Sequence, residues 1–190
     1  MDTSPRDGVV PSSPREWRDY LAAYAEEFLR TANEYERSSL DETRLATCWL
    51  GRPPAGERTI AAAQERLGVR FPPSFRGFLQ ASDGWDGVGG WVDKIYPCGE
   101  VEWFGSTQEG QDYIELYNDL DGDEAAAVFQ RSLVIAGGED YWLLDPAVVA
   151  DGEWAAYEFE PKYGQLTEFT SFHSLMEGSR KTMTILGGDG

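Results

Sequence analysis

The stretch "LGVRFPPSFRGFLQASDGW", residues 67–85, decides the fold. An apolar helical run stops at Gly68, a residue suited to close a helix in the left-handed conformation. Pro72 and Pro73 cannot continue a helix but can begin one, so "VRFPPS" forms an elbow. Phe75, Phe78 and Leu79 then share one face of a short helix. Asp83-Gly84 suits a turn that needs positive φ. Leu67, Phe71, Phe75, Phe78 and Leu79 are therefore expected to be buried around the elbow.

Upstream, "GERTIAAAQERLG" puts Ile60, Ala63 and Leu67 on one helical face. Further back, "SPRE" supplies Ser13 as N-cap, Pro14 at the first helical position and Glu16 to complete a capping box. Trp17, Leu21, Tyr24, Phe28 and Tyr35 continue that helix as an apolar stripe. A short helix is predicted over "LDETRLATCWL", ended by Gly51. Downstream of Trp85 the period changes from helical to alternating. "KIYPCGEVEWFG", "YIELYN", "SLVIAG", "YWLLDP", "WAAYEFEP" and "QLTEF" read as strands, and "SFHSLMEGSRK" returns to helix. Helices first and strands later predict an α+β fold. N-terminal helices pack against a mostly antiparallel or mixed sheet, and a C-terminal helix closes it. The domain reading is a flexible tail over 1–12, a helical extension over 13–48 packed on the core, the main domain over 49–180 and a frayed terminus over 181–190.

The 190 residues include 41% apolar and 13% aromatic side chains, enough for a core and against global disorder. No apolar run approaches the roughly 20 residues of a membrane span, and the first residues carry no signal-peptide pattern, so a cytoplasmic location without membrane contact is expected. Cys48 and Cys98 lie in no CxxC motif and are read as buried apolar thiols; with the one histidine, His173, they form no zinc spacing. Neither a metal nor another cofactor is expected.

Net charge is −18 and unevenly spread. Residues 79–160 hold nineteen Asp and Glu against Lys94 and Arg131, whereas 49–78 carry Arg52, Arg58, Arg66, Arg70 and Arg76 against Glu57 and Glu65. Direct nucleic-acid binding is disfavoured, because phosphate neutralisation needs clustered cations. Two readings of the acidic half stand: it attracts a basic protein partner, or it is a solvated surface that only keeps the chain soluble.

"IAAAQERLGVRFPPSFRGFLQASDGW", "RSLVIAGGEDYWLLDP" and "EFTSFHSLMEG", in that order, resemble the SUKH superfamily, named partly after a yeast regulator of cell-wall synthesis. The resemblance spans about 49–178. One departure is Gln64, where the family often has Glu; a structural role is expected for that side chain. The family implies mostly bacterial immunity proteins that bind and neutralise toxins, often nucleases, without catalysis. Other members are intracellular scaffolds or regulators, the second reading; a hydrolase is third. The expected interface comprises Trp85 and Trp91, which bracket the acidic, glycine-rich "WDGVGGW" with Asp86, together with Asp119, Asp121, Asp123, Glu124, Glu139 and Asp140. Tryptophan in such a loop serves either as a binding anchor or as core.

Enzyme signatures fail one by one. "DGVGGW" and "AGGED" lack a Walker lysine and GxGxxG spacing, and no Ser-His-Asp or Cys-His pattern occurs. "NDLDGDE" has the alternating acids of a calcium loop. Counting from Asp119, however, Glu124 stands at the sixth position instead of glycine and Gln130 at the twelfth instead of the bidentate Glu. Millimolar calcium should therefore leave the melting temperature unchanged in a thermal scan. A saturable rise that Asp121→Asn abolishes would make the loop a true calcium site.

Overall fold

The computed structural model of the chain describes residues 9–119 and 124–186. Helix α1, Pro14–Thr31, starts as its cap chemistry dictates. The Ser13 side chain accepts from the Glu16 backbone N–H, and Pro14 is the first helical residue. The Glu16 carboxylate interacts only weakly with the Ser13 backbone N–H that would complete the expected box. It reaches one residue further back and accepts from the backbone N–H and hydroxyl of Ser12 at 2.7 and 2.8 Å. Trp17, Leu21, Tyr24 and Phe28 are buried as the stripe requires. Tyr35 is 82% exposed, because α1 ends at Thr31 and a new capping box at Asn33 starts α2, Glu34–Ser38, out of register with the stripe.

Helix α3, Glu42–Thr47, is capped by Asp41, and α4, Glu57–Leu67, ends on Gly68 at φ +72°. The elbow follows, and α5 runs Pro73–Ala81 with Phe75, Phe78 and Leu79 fully buried. Gln64 has the structural role expected of it. Its Oε1 accepts from the Phe71 backbone N–H at 2.9 Å, so an amide oxygen does here what either oxygen of a carboxylate would do. At the start of α5, Pro72 stands in the cap position; its carbonyl accepts from the Arg76 N–H at 2.9 Å, but it offers no side-chain acceptor. The carboxylate of Glu153, from a distant hairpin, supplies one: it accepts from the backbone N–H and hydroxyl of Ser74 at 2.8 and 2.6 Å. A negative group at a helix N-terminus also complements the aligned peptide dipoles.

The sheet is antiparallel throughout. Its strands are β1 (Trp85–Gly89), β2 (Val92–Ile95), β3 (Glu102–Trp103), β4 (Leu133–Gly138), β5 (Tyr141–Ala150), β6 (Glu153–Glu160) and β7 (Gln165–Phe169). The order is β1-β2-β4-β5-β6-β7, with β3 paired to the other half of the β4 edge that β2 uses. Side chains alternate between two cores. Ile135, Trp142, Leu144 and Ala156 face α1, α5 and the closing helix α8, Phe172–Leu186. Val134, Leu143, Tyr157 and Phe159 face the opposite side, which is covered by α6, Gln108–Asn118, and α7, Ala125–Arg131.

Helix α6 corrects the expected strand "YIELYN". Thr107 caps it by accepting from Gly110 N–H, and Tyr113 and Tyr117, one helical turn apart, pack on Phe159 and Phe129. Strand-favouring residue types there are overridden by that i, i+4 contact with the sheet. Likewise "WDGVGGW", expected as a loop, is the β1–β2 hairpin. Helix α8 continues to Leu186, past the point where fraying was expected to begin.

These contacts rank two substitutions. Phe78→Ala should lose about 3–5 kcal/mol of unfolding free energy. Glu153→Ala, which strands the first turn of α5, should lose about 1–3 kcal/mol. Urea titrations with an unchanged m-value check both; a neutral Glu153→Ala would show that water replaces the carboxylate at no cost.

Candidate protein-interaction surface

Three turns meet at one end of the sheet. The β1–β2 turn carries Gly90 and Trp91, the β4–β5 turn carries Glu139 and Asp140, and the β6–β7 turn carries Pro161, Lys162, Tyr163 and Gly164. The ladders bring them together: Val92 pairs with Gly138, Tyr141 with Phe159 and Glu160 with Gln165. The Asp140 backbone N–H donates to Trp91 C=O at 3.0 Å, tying the first two turns. The third is closed by a Gly164 N–H to Pro161 C=O bond at 3.3 Å. Beside it lies the Tyr117 hydroxyl, near the C-terminal end of α6, so the exposed Asp119 belongs to this end of the molecule. Glu124, also exposed, opens α7. Asp121 and Asp123 lie outside the described residues.

The two tryptophans of the expected interface have opposite fates. Trp91 is 56% exposed. Trp85 is fully buried, its ring edge-on to Trp49 at 5.1 Å and to Tyr24 at 6.3 Å, so it is core and not a partner contact. In a strand one residue decides the face, and Trp85 points toward α1 while Trp91 sits at the hairpin tip. Asp86 is half-buried at the far end of the same hairpin. It is held by the Arg44 guanidinium, tying α3 to β1, and is not gathered with the others. Glu139 is exposed as expected, whereas Asp140 is buried. Burial, reinforced by Glu160, Glu158 and Glu139, pushes the Asp140 carboxyl up to about 6.

Sequence reasoning missed Lys162 and Tyr163. Tyr163 is 65% exposed, and the Lys162 ammonium stands 5.5 Å from its ring centroid and 6.0 Å from that of Trp91. The signal was the Pro161–Gly164 spacing, which marks a turn and places both intervening side chains at its tip.

Other chemistry-bearing groups serve the fold. Burial and Asp83 push the Cys98 thiol up to about 12, so it stays protonated. Cys48, expected to be buried, is exposed, at the left-handed end of α3. His173 is buried edge-on against Trp17, and desolvation holds its pKa below the usual histidine range. Among the described residues no three His, Cys, Asp or Glu side chains are grouped to hold a metal, and no helix is long and apolar enough to cross a membrane.

The family model described as SMI1 / KNR4 family (SUKH-1) matches residues 54–177, more than half of the chain. The match takes in the elbow, the whole sheet and the three turns, and leaves α1 to α3 outside. No curated protein matches the chain.

The raised Asp140 carboxyl sets a pH dependence. As pH rises from about 4, the unfolded chain ionises first while the fold keeps its proton to about 6. Folding stability is therefore lost across that window. Asp140→Asn removes the loss, so its gain in melting temperature over the parent should be larger at pH 7.5 than at pH 4. An equal gain at both values would show that the carboxyl titrates normally.

Proposed function

The chain belongs to the SMI1/KNR4 family (SUKH-1), and on that premise we propose that it is a non-enzymatic immunity protein. It binds a cognate protein toxin in the cytoplasm and neutralises it by covering the toxin's working surface. The observation that carries this reading is the pairing of exposed Trp91 and Tyr163 with the exposed acids Glu139 and Asp119 at one end of the sheet. Large aromatic rings of this kind are the usual anchors of protein interfaces. The surrounding carboxylates favour a basic partner, and nuclease toxins suit that description because they must hold phosphate. An acidic inhibitor on such a toxin occupies the place of its nucleic acid.

The direct test is co-expression of this chain with the toxin encoded beside its gene: survival supports neutralisation, and death with both proteins present overturns it. Binding kinetics then divide the surface. Replacing Asp119, Asp121, Asp123 and Glu124 by their amides should slow association and flatten its salt dependence, because exposed charges act on encounter and are screened beyond about 8 Å. Trp91→Ala should instead speed dissociation, at a cost of about 2 kcal/mol or more. Association that ignores salt, unchanged in the quadruple variant, would make the acidic turns a solvated surface only.

A further inference from the structure

The β6–β7 turn places a cation between two exposed rings. Pro161 and Gly164 set the turn, and Tyr163 N–H to Glu160 C=O at 3.1 Å holds its start. Lys162 is exposed, yet its ammonium lies over both the Tyr163 and the Trp91 rings. The faces of aromatic rings are electronegative and attract cations, more so beside carboxylates. Glu139 lies on the neighbouring turn and Glu160 immediately precedes Pro161, so both acids belong to this end of the sheet. The chain thus displays on itself the ligand chemistry that this spot accepts.

Lysine is the weaker occupant of such a place. Its ammonium is compact and strongly hydrated, whereas a guanidinium is planar, less tightly hydrated and stacks on ring faces. Resting on the reading of this end as the docking surface, the geometry points to a seat for an arginine side chain of the protein partner, formed by Trp91 and Tyr163 and occupied until then by Lys162. The partner's arginine displaces Lys162 into solvent, where its ammonium is fully hydrated. A partner without a suitably placed arginine leaves Lys162 on the rings and meets a positive charge there. Lys162 then acts as a selectivity element that favours arginine-bearing surfaces and holds off others.

The test uses dye-labelled hexa-arginine as the probe and fluorescence anisotropy for affinity. It compares the parent chain, Lys162→Gln, Trp91→Ala and the double variant. Both side chains are solvent-exposed, so all four proteins should fold, and circular dichroism checks it. If the seat is real, Lys162→Gln tightens the probe about two- to fivefold in the parent background. The same change gains clearly less in the Trp91→Ala background, where only the Tyr163 ring remains. The Trp91 indole N–H resonance should also move on titration, and hexa-lysine should bind more weakly than hexa-arginine. An equal gain from Lys162→Gln in both backgrounds would reduce the effect to net charge and overturn the seat. So would a stationary Trp91 resonance, or equal affinity for the two peptides. No toxin enters this titration, so its failure is separate from a failure of the rescue assay.

Discussion

Phe172 packs against Phe75 and Phe78 with ring centroids 5.1 and 5.2 Å away, and Trp17 closes the group at 6.0 Å from Phe172 and 6.2 Å from Phe78. Four rings from three remote segments, α1, α5 and α8, share one buried space. All four are essentially without solvent contact. The elbow exists to aim two of them. Without the break at Pro72 and Pro73, Phe75 and Phe78 would continue the line of α4 and miss the sheet. Fixing α5 and α8 on one face of the sheet leaves the other for α6 and α7, and the strand turns are left free at the ends. The helical extension before the family match therefore contributes to the same core as the matched region.

The charge distribution takes on a second meaning once partners are assigned. Many acids in the acidic half are spent inside the fold. Asp83 accepts from Cys98 N–H at 2.8 Å, Asp145 is buried against Arg131 at 2.7 Å, and Glu158 accepts from the Trp142 indole at 3.2 Å. Asp86 and Glu153 hold elements together in the same way. A buried carboxylate with such a partner is costly to strip bare, so these positions answer to stability. Under the proposed reading, the acids left for recognition are exposed ones, Glu139, Asp119 and Glu124 among them. Net charge read as a single number joins these two populations.

The elbow was legible because its chemistry is local: proline forbids a hydrogen bond, Gly68 accepts a left-handed backbone, and phenylalanines three apart share a face. The α+β order was legible from the change of period after Trp85. What failed depended on distant contacts. Tyr113 and Ile114 look like strand residues until Phe159 and Phe129 are placed beneath α6. Trp85 and Trp91 are equivalent in the sequence, and only the hairpin register separates a core ring from an exposed one. Acids are densest over 118–124, yet Lys162 and Tyr163 stand on a turn that abundance of charge does not mark.

The Glu153–Ser74 bond spans 79 residues of chain. During synthesis at roughly 5–20 residues per second, the start of α5 is made about 4–16 s before its cap is. Throughout that interval Pro72 offers the first turn no side-chain acceptor, and Phe172, the ring that packs on Phe75 and Phe78, is still to come. The elbow helix is thus among the earlier segments to leave the ribosome and among the last to be locked. The Glu153 hairpin and helix α8 supply last what the elbow helix needs at its first turn and on its buried face. Nascent chains stalled before residue 153 should be the species that most need a chaperone.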